Sequence, residues 1–304
     1  MNKPILIQVC GTTAIGKTSL SIALAQHFNT EIISCDSRQF FKEMTIGTAV
    51  PFSWELEAVP HHFIQNKSIF DTYSVGDFER ESLACLTELF KKHQVVILVG
   101  GSGLYAEALI NGLDQFPKVE DGLRTKLKDQ LETEGIATLQ NQLKELDPLS
   151  FKEIDLDNPQ RLIRALEITI SSKKPFSSFK RQNQIQRPFQ TLRVGLEGER
   201  SEIYKRIEKR VDAMMEQGLL QEVEGLKSYA DLNALQTVGY KELFAYLNGE
   251  ISLDFAVSEI KKNTRRFAKR QITWNKKLEG VHWFNYREAH SKIIEKTQQL
   301  LDEL

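Results

Sequence analysis

The feature that most constrains the fold is a glycine-rich stretch at residues 11–18, which fits the pattern G-x-x-x-x-G-K-[ST] at every fixed position. It reads Gly11-Thr12-Thr13-Ala14-Ile15-Gly16-Lys17-Thr18. The apolar run at 5–10 predicts a buried strand before it, and apolar residues at 20–25 predict a buried helix after it. This order predicts a phosphate-binding loop; the alternative is an ordinary turn that contains glycine.

The chemistry of such a loop follows from its residue types. The two glycines let the backbone turn its N–H groups inward, and the helix N-terminus adds partial positive charge. We expect Lys17 to neutralise anionic oxygens and the Thr18 hydroxyl to ligate Mg²⁺. The loop by itself does not identify the molecule that carries the phosphate.

An acidic residue is missing where a phosphate-transferring enzyme usually has one. Such enzymes end a nearby apolar strand with an aspartate that helps to hold Mg²⁺. Here the best such strand, at 95–99, runs into Gly100-Gly101-Ser102-Gly103 without an acid. The nearest suitable acid is Asp36, which follows the apolar run at 32–35. We therefore expect Asp36 at the carboxyl edge of a strand, where open α/β sheets bind their ligands.

Length and composition set broader limits. A chain of 304 residues that is 41% hydrophobic can bury a full core, and its length favours two domains or one domain with a large insertion. It has no apolar run near the roughly 18 residues that span a bilayer, so we expect a cytoplasmic protein without membrane association. The formal net charge of −1 argues mildly against a polyanionic partner, but nucleic acid responds to local patches rather than to the sum.

The order of predicted elements defines the fold class. Residues 1–112 alternate strands with helices, whereas 115–189 have helical periodicity. The predicted strands are 4–10, 31–35, 95–99, 190–196 and possibly 281–284; the predicted helices are 17–28, 78–92, 103–111, 121–134, 136–146 and 158–172. We expect an α/β fold with a parallel-sheet, phosphate-loop core at 1–114 and 190–304, a helical insertion domain at 115–189 with a flexible return near its end, and a helical C-terminal region.

The predicted helix 158–172 carries two arginines, Arg161 and Arg164, three residues apart. They could contact phosphates or base edges, together with Gln160 on the same polar side. Leu162, Ile163, Leu166 and Ile170 are expected on its buried side. The alternative is a solvated face on which Arg164 pairs with Glu167.

A second basic segment lies at 261–277 and contains no acidic residue. Its cations are Lys261, Lys262, Arg265, Arg266, Lys269, Arg270, Lys276 and Lys277. On a helix, 261/265/269 and 262/266/270 form adjacent rows, so we predict one broad basic face that contacts a phosphate backbone. The alternative is simply solvated surface.

Two neighbouring histidines, His61 and His62, point apart on either a helix or a strand and cannot chelate a metal together. A structural or substrate-lining role is favoured. The three cysteines are too scattered for a disulfide framework or a zinc cluster, so we interpret them as small core residues.

Several motifs together carry a family resemblance over nearly the whole chain. They are residues 11–18, Ile33-Ser34-Cys35-Asp36-Ser37-Arg38-Gln39, Ile46-Gly47-Thr48-Ala49, Pro60-His61-His62, Gly100-Gly101-Ser102-Gly103-Leu104-Tyr105, Asn158-Pro159-Gln160-Arg161-Leu162-Ile163-Arg164-Ala165-Leu166-Glu167, Val238-Gly239-Tyr240-Lys241-Glu242 and Lys269-Arg270-Gln271-Ile272-Thr273-Trp274. This combination closely resembles bacterial tRNA dimethylallyltransferases, which prenylate N6 of adenosine 37, beside the anticodon.

The resemblance implies a catalytic set of Asp36 as general base with Lys17 and Thr18, and Mg²⁺ as the cofactor. It implies that the loop binds the diphosphate of dimethylallyl diphosphate rather than ATP, that tRNA is the partner, and that the protein is a monomer. The implied tRNA-contact residues are Asp36, Ser37, Arg38, Gln39, Ser102, Arg124, Gln160, Arg161, Leu162, Ile163 and Arg164, to which the basic segment adds Lys262, Arg266, Lys269 and Arg270.

The sequence departs from the family pattern at Thr45, Val50 and Gln65, where the family often has Asp, Lys and Asp. These departures concern the pocket near 45–65. Alternatives to the implied activity are a small-molecule kinase, a prenyltransferase acting on free adenine nucleotides, and a nucleotide-gated RNA-binding protein without turnover.

Overall fold

The computed structural model describes residues 3–180 and 185–304. The chain forms two compact units, one of Met1–Asn111 with Gln186–Leu304 and the other of Gly112–Ile185. Residues 181–184, which belong to the predicted flexible return, lie outside the described residues.

A parallel sheet forms the centre of the first unit. Its strands are β1 Ile5–Cys10, β2 Ile32–Ser34, β3 His61–His62, β4 Val95–Val99, β5 Gln190–Glu197 and β6 Val281–Asn285. Their order across the sheet is β3-β2-β4-β1-β5-β6, and every neighbouring pair is parallel. The predicted parallel α/β sheet is confirmed, including the last strand. All carboxyl ends therefore meet at one edge, where ligands bind in such sheets.

Helices surround the sheet and continue toward the C-terminus. Those of the first unit are α1 Lys17–His27, α2 Ser53–Ala58, α3 Val75–Leu89, α4 Gly103–Asn111, α9 Arg200–Glu216, α10 Leu219–Gly225, α11 Tyr240–Leu247, α12 Leu253–Asn275 and α13 His290–Asp302. Those of the second unit are α5 Leu123–Glu134, α6 Ile136–Leu146, α7 Pro148–Glu153 and α8 Pro159–Ser172. Within the part of the chain that the structure describes, no helix is long and apolar enough to cross a membrane.

The sheet is buried on both faces: every residue of β1, including Gln8, and the three central residues of β4 are buried. On one face, Ile7 packs in a cluster with Leu20 of α1 and Ile207 of α9. On the other face, Leu6 packs with Phe78 of α3 and with residues of α4. Packing on both faces holds the carboxyl ends of the strands in place, and with them the loops that follow.

Helices α9 to α12 have their own apolar core. Tyr240, Leu219 and Ile260 are buried there, and Met214 and Met215 pack against the cluster. This core lies beside the carboxyl ends of the strands, because several of its residues line the same cavity as the phosphate-binding loop.

The second unit has a core of leucines from α5, α6 and α8. The predicted start of α8 is confirmed: Asn158 is the N-cap, its Oδ1 accepts from the Arg161 N–H at 3.3 Å, and Pro159 occupies the first helical turn. Nearby, buried Asp147 accepts hydrogen bonds from the backbone and hydroxyl groups of both Ser150 and Ser177. These bonds tie the short 3₁₀ helix Phe176–Phe179 to the start of α7.

Candidate functional site

The glycine-rich loop connects β1 directly to α1, as the sequence predicts. Gly11 and Gly16 have φ values of 142° and 114°, a region that residues with side chains rarely adopt. A Cβ at Gly11 would also lie 2.9 Å from the Leu196 carbonyl oxygen. The backbone therefore depends on glycine at both positions to place the loop at the carboxyl edge of the sheet.

The amine of Lys17 is held inside this loop. Its Nζ donates a hydrogen bond to the Thr12 carbonyl at 2.8 Å. Burial lowers the pKa of Lys17 to about 8, while the nearby Asp36 carboxylate opposes that shift. A cation held this way gains stability when an anion binds beside it, because the anion offsets the cost of desolvation.

Asp36 lies two residues beyond β2, at the predicted edge of the sheet. The Arg38 backbone N–H donates to its Oδ1 at 3.1 Å. A Cβ at Gly101 would lie only 2.7 Å from its Oδ2. The glycine run after β4 therefore has a structural reason: it makes room for an acid that comes from the neighbouring strand.

Ser37 and Ser102 join these two strand ends. The Ser37 N–H donates to Ser102 Oγ at 3.0 Å, and Ser102 Oγ is 2.9 Å from Ser37 Oγ. Both residues line the cavity described below. Their role as tRNA contacts stays a prediction.

Arg38 and Gln39 use their side chains to hold loops. The Arg38 guanidinium donates to the carbonyls of Asn233 and Ala234 at 3.0 and 2.9 Å, and burial lowers its pKa. Gln39 Nε2 donates to two carbonyls of the 48–49 loop at 3.2 and 2.8 Å. Both residues line the cavity, and direct contact with tRNA stays a prediction.

Sequence reasoning missed two arginines of α9 that reach the phosphate-binding loop. Arg206 Nε donates to the Ala14 carbonyl at 2.6 Å, and Arg210 Nη1 lies 3.5 Å from Thr13 Oγ1. Burial lowers the pKa of Arg210, and Asp36 opposes that shift. Their spacing of four residues places them on one helix face, but the neighbouring lysines of α9 conceal this signal in the sequence.

Gln271 is a third residue to which the sequence analysis assigned no role. Its Oε1 accepts from the Thr13 N–H at 2.7 Å, and its Nε2 donates to the Gly101 carbonyl at 2.9 Å. The side chain is buried. Gln271 therefore connects α12 to both the phosphate-binding loop and the glycine run.

One cavity of about 1360 Å³ is shared by all these groups. Its lining includes Lys17, Asp36 and Arg210 together with apolar side chains such as Met214. The cavity thus combines a cationic end, a carboxylate and an apolar wall. Such a site suits a ligand that has an anionic group and an apolar group.

The paired histidines form the edge strand β3, and their rings contact different groups. The ring of His61 lines the cavity, and its Nδ1 lies 2.7 Å from the Val59 carbonyl. His62 Nε2 lies 2.6 Å from Glu31 Oε2. No cluster of three or more His, Cys, Asp or Glu residues suited to a metal occurs in the described ranges.

The basic segment does not form the single broad face that we predicted. Lys261 pairs with Asp212 at 2.5 Å and Arg265 pairs with Glu208 at 2.7 Å, so these two cations of α12 pack against acids of α9.

Of the remaining cations of α12, one is paired within the helix and three are exposed. Lys262 pairs with Glu259 of its own helix at 2.8 Å. Arg266, Lys269 and Arg270 are exposed, and the Arg270 guanidinium also lies over the Phe267 ring. The candidate nucleic-acid surface of α12 is therefore limited to these three cations.

In the second unit, two of the predicted tRNA-contact arginines, Arg124 and Arg164, lie beside Glu167 of α8. Glu167 is buried and accepts two hydrogen bonds from Arg124, both at 2.9 Å. Arg164 lies 3.7 Å from the same carboxylate, so the alternative pairing of Arg164 with Glu167 is present. Gln160 and Arg161 are exposed.

Two assignments on α8 need correction. Leu162 and Ile163 are 0% and 1% exposed, so their side chains belong to the leucine core and cannot contact tRNA. Ile170, expected on the buried side, is 36% exposed, and Thr169 is buried instead. Ile170 shares the helix face of Leu166, but it lies in the last turn of α8 and outside the leucine cluster.

Comparison with known proteins gives a consistent match. The model of the family described as IPP transferase matches residues 39–278. A tRNA dimethylallyltransferase from Flavobacterium johnsoniae is 54% identical over 295 residues, which is 95% of this chain and 96% of the relative.

Solved structures are similar over the whole chain. The tRNA isopentenylpyrophosphate transferase of Bacillus halodurans has a TM-score of 0.73 and 34% identity, covering 99% of this chain and 96% of that one. A eukaryotic dimethylallyltransferase captured acting on tRNA has a TM-score of 0.85 and 28% identity, covering 99% of this chain and 80% of that one.

Proposed function

The chain belongs to the IPP transferase family, and from this premise we propose that it transfers the dimethylallyl group of dimethylallyl diphosphate to N6 of adenosine 37 in tRNA. It is a tRNA-prenylating transferase, as its relatives are. The observation that carries the proposal is the cavity in which the phosphate-binding loop and Asp36 meet beside an apolar wall. The reaction joins N6 to the allylic carbon, breaks the bond from that carbon to oxygen, and releases diphosphate.

The leaving diphosphate needs positive charge around it. Residues 11–18 provide Lys17 and the N-terminus of α1, while Arg206 and Arg210 bring two further cations to the same loop. Charge held in place before reaction stabilises the developing anion without reorganisation. Because Lys17 and these two arginines supply positive charge, the diphosphate can leave without a further Mg²⁺-holding acid after β4.

Asp36 is proposed to take the proton of the nucleophile. The exocyclic amine of adenine is weak because its lone pair is delocalised into the ring, so a carboxylate within hydrogen-bond range is the remaining requirement. The adenosine has to leave its stack to enter the cavity, as in other enzymes that modify bases.

The residues present fit a bound Mg²⁺. Thr18 supplies a hydroxyl oxygen at the start of α1, and Mg²⁺ is usually held by one or two protein oxygens together with phosphates and waters. This agrees with the lack of a larger ligand cluster among the described residues. When bound, the ion would neutralise charge on the diphosphate.

The tRNA contacts are proposed on both units. In the first unit they are Asp36, Ser37, Arg38, Gln39, Ser102, Arg266, Lys269 and Arg270; in the second, the insertion at 115–189, they are Gln160, Arg161, Arg124 and Arg164. We also propose that the protein acts as a monomer in the cytoplasm.

The test is to incubate the protein with unmodified tRNA and dimethylallyl diphosphate, then digest the tRNA and weigh its nucleosides. The expected result is a mass increase on one adenosine, abolished when adenosine 37 is replaced by guanosine. Transfer of label from ATP to an acceptor, or prenylation of free AMP at an equal rate, would contradict the proposal.

Gly101→Ala is expected to lower kcat by about tenfold or more, because the new Cβ would lie 2.7 Å from Asp36 Oδ2 and displace the base. Gly225→Ala is the matched control, since a Cβ there meets nothing within 4 Å. Single-turnover rates at saturating substrates measure both variants. Equal rates for both would show that the position of Asp36 does not limit transfer.

Replacing Arg266, Lys269 and Arg270 together with Gln is expected to weaken tRNA binding and flatten its salt dependence. The log–log slope should fall by somewhat under about one unit for each cation that pairs with a phosphate in the wild-type protein. The control removes the exposed lysines Lys92, Lys292 and Lys296. Measuring tRNA affinity across a salt series distinguishes the two variants. An unchanged slope in the α12 variant would show that these cations are only solvated.

A further inference from the structure

A single carboxylate holds one wall of the cavity. Glu222 of α10 accepts hydrogen bonds from three consecutive backbone N–H groups: Oε2 accepts from Thr45 and Ile46 at 3.0 and 2.7 Å, and Oε1 accepts from Gly47 at 3.0 Å. Bonds from N–H groups to a charged acceptor are stronger than bonds between neutral groups. The loop at 45–47 is therefore attached to a helix more than 170 residues away in the sequence.

Tyr240 completes this arrangement from α11. Its hydroxyl donates to Glu222 Oε1 at 2.6 Å, and the whole side chain is buried. A Cβ at Gly47 would lie 2.5 Å from the Tyr240 ring, so only glycine lets the loop approach this closely. Burial and the neighbouring carboxylate raise the pKa of Tyr240, which keeps the hydroxyl protonated as a donor.

The loop is also fixed from its other side. Gln39, at the end of the turn that begins with Asp36, donates to the carbonyls of Thr48 and Ala49. Ala49 has a φ of 53°, which a residue with a side chain adopts only when its surroundings enforce it. The segment 45–49 is thus held between the Asp36 turn and Glu222.

The position of this segment indicates what it contacts. Gly47, Thr48 and Ala49 line the cavity, and Ile46 packs in the apolar cluster that includes Met214. The cationic groups, by contrast, gather at the phosphate-binding loop. A donor whose diphosphate lies at that loop would place its apolar end toward the wall formed by 47–49.

We propose that Glu222 is a positioning residue that sets the wall contacting the allyl group of the donor, and that it thereby sets both affinity for dimethylallyl diphosphate and the chain length accepted. The inference rests on the proposed function, because it requires an allylic diphosphate in this cavity. Glu222 itself touches backbone and Tyr240, so it acts through the loop rather than on the reacting atoms.

The experiment compares Glu222→Gln with Glu224→Gln, which changes the same charge at an exposed position of the same helix. Gln keeps one acceptor oxygen, but its NH2 group cannot accept the N–H bonds that the other carboxylate oxygen accepts, so the attachment of the loop is weakened. We expect Glu222→Gln to raise KM for dimethylallyl diphosphate about tenfold while kcat changes less than about threefold. The constant for inhibition by inorganic diphosphate should stay unchanged, and kcat/KM for geranyl diphosphate relative to dimethylallyl diphosphate should rise.

Tyr240→Phe is the second variant, since it removes one of the four bonds and keeps the ring against Gly47. It should raise KM by about threefold. Glu222→Gln behaving like Glu224→Gln would overturn the inference, as would an equal drop in affinity for inorganic diphosphate. If the wild-type protein does not use dimethylallyl diphosphate at all, the proposed function fails instead, and the two failures are distinguishable.

Discussion

Asp36→Asn is expected to lower kcat by about 10²- to 10⁴-fold with little change in the affinity for tRNA or dimethylallyl diphosphate. Asparagine keeps the size of the side chain and its ability to hydrogen-bond the adenine amine, but it cannot take the proton. Because the Arg38 N–H can still donate to the remaining oxygen, the turn should keep its shape. Single-turnover kinetics with prebound tRNA measure the chemical step, and equilibrium binding measures both affinities.

A competing role for Asp36 is to hold Mg²⁺ indirectly, since it lines the same cavity as Thr18. If that role dominated, excess Mg²⁺ would restore much of the rate, and we expect no such rescue. Asp231→Asn serves as the control, because Asp231 is exposed in the same unit. An Asp36→Asn variant that retained more than about a tenth of the wild-type kcat would remove Asp36 as the general base.

Periodic segments long enough to show a pattern could be predicted from the sequence. The buried strands β1 and β4 and the amphipathic helix α8 are such segments. The strand β3 has two residues and helix α2 has six, too short for any period to be visible. Helix α3 begins at Val75 rather than 78, because Ser74 and Asp77 form a capping box ahead of the apolar residues.

In the candidate site, too, residues that follow a recognisable strand could be predicted, and residues brought in by distant packing could not. The phosphate-binding loop and Asp36 could be found because each follows its own strand within a few residues. Gln271 could not, since it meets Thr13 across 258 positions and only the packing of α12 brings the two together. Arg206 and Arg210 were missed for the same reason, because nothing local tells which cations of α9 point to the loop.

The basic segment shows how sequence reasoning fails on charge. The segment 261–277 contains no acidic residue, so its cations were expected to be unpaired. Lys261 and Arg265 nevertheless pair with acidic residues of α9. The sequence placed Glu167 on a solvated face. In the structure Glu167 is buried and pairs with Arg124 of another helix. A charge pattern on one helix predicts a surface only when the facing helix is known.

Lys17→Ala is expected to lower kcat/KM for dimethylallyl diphosphate by about 10³-fold and to leave tRNA affinity within about threefold. The lysine is held by the Thr12 carbonyl inside the loop, so its removal takes positive charge from the leaving group and affects no proposed tRNA contact. Lys205→Ala on α9 is the control for removing a lysine from the same unit. Unchanged affinity for dimethylallyl diphosphate in a folded Lys17→Ala variant would contradict a diphosphate site at this loop.

The pH dependence gives a sharper test of the same lysine. In the free protein burial lowers the pKa of Lys17 to about 8, and a bound anion raises it again, so binding above that pH takes up a proton. Affinity for inorganic diphosphate should therefore fall as pH rises above about 8, approaching tenfold for each pH unit. Below that pH the amine is already charged and this effect disappears. Measuring the ratio of wild-type to Lys17→Ala affinity cancels the titration of diphosphate itself. A ratio that stays flat from pH 7 to pH 10 would show that the amine of Lys17 does not face the bound anion.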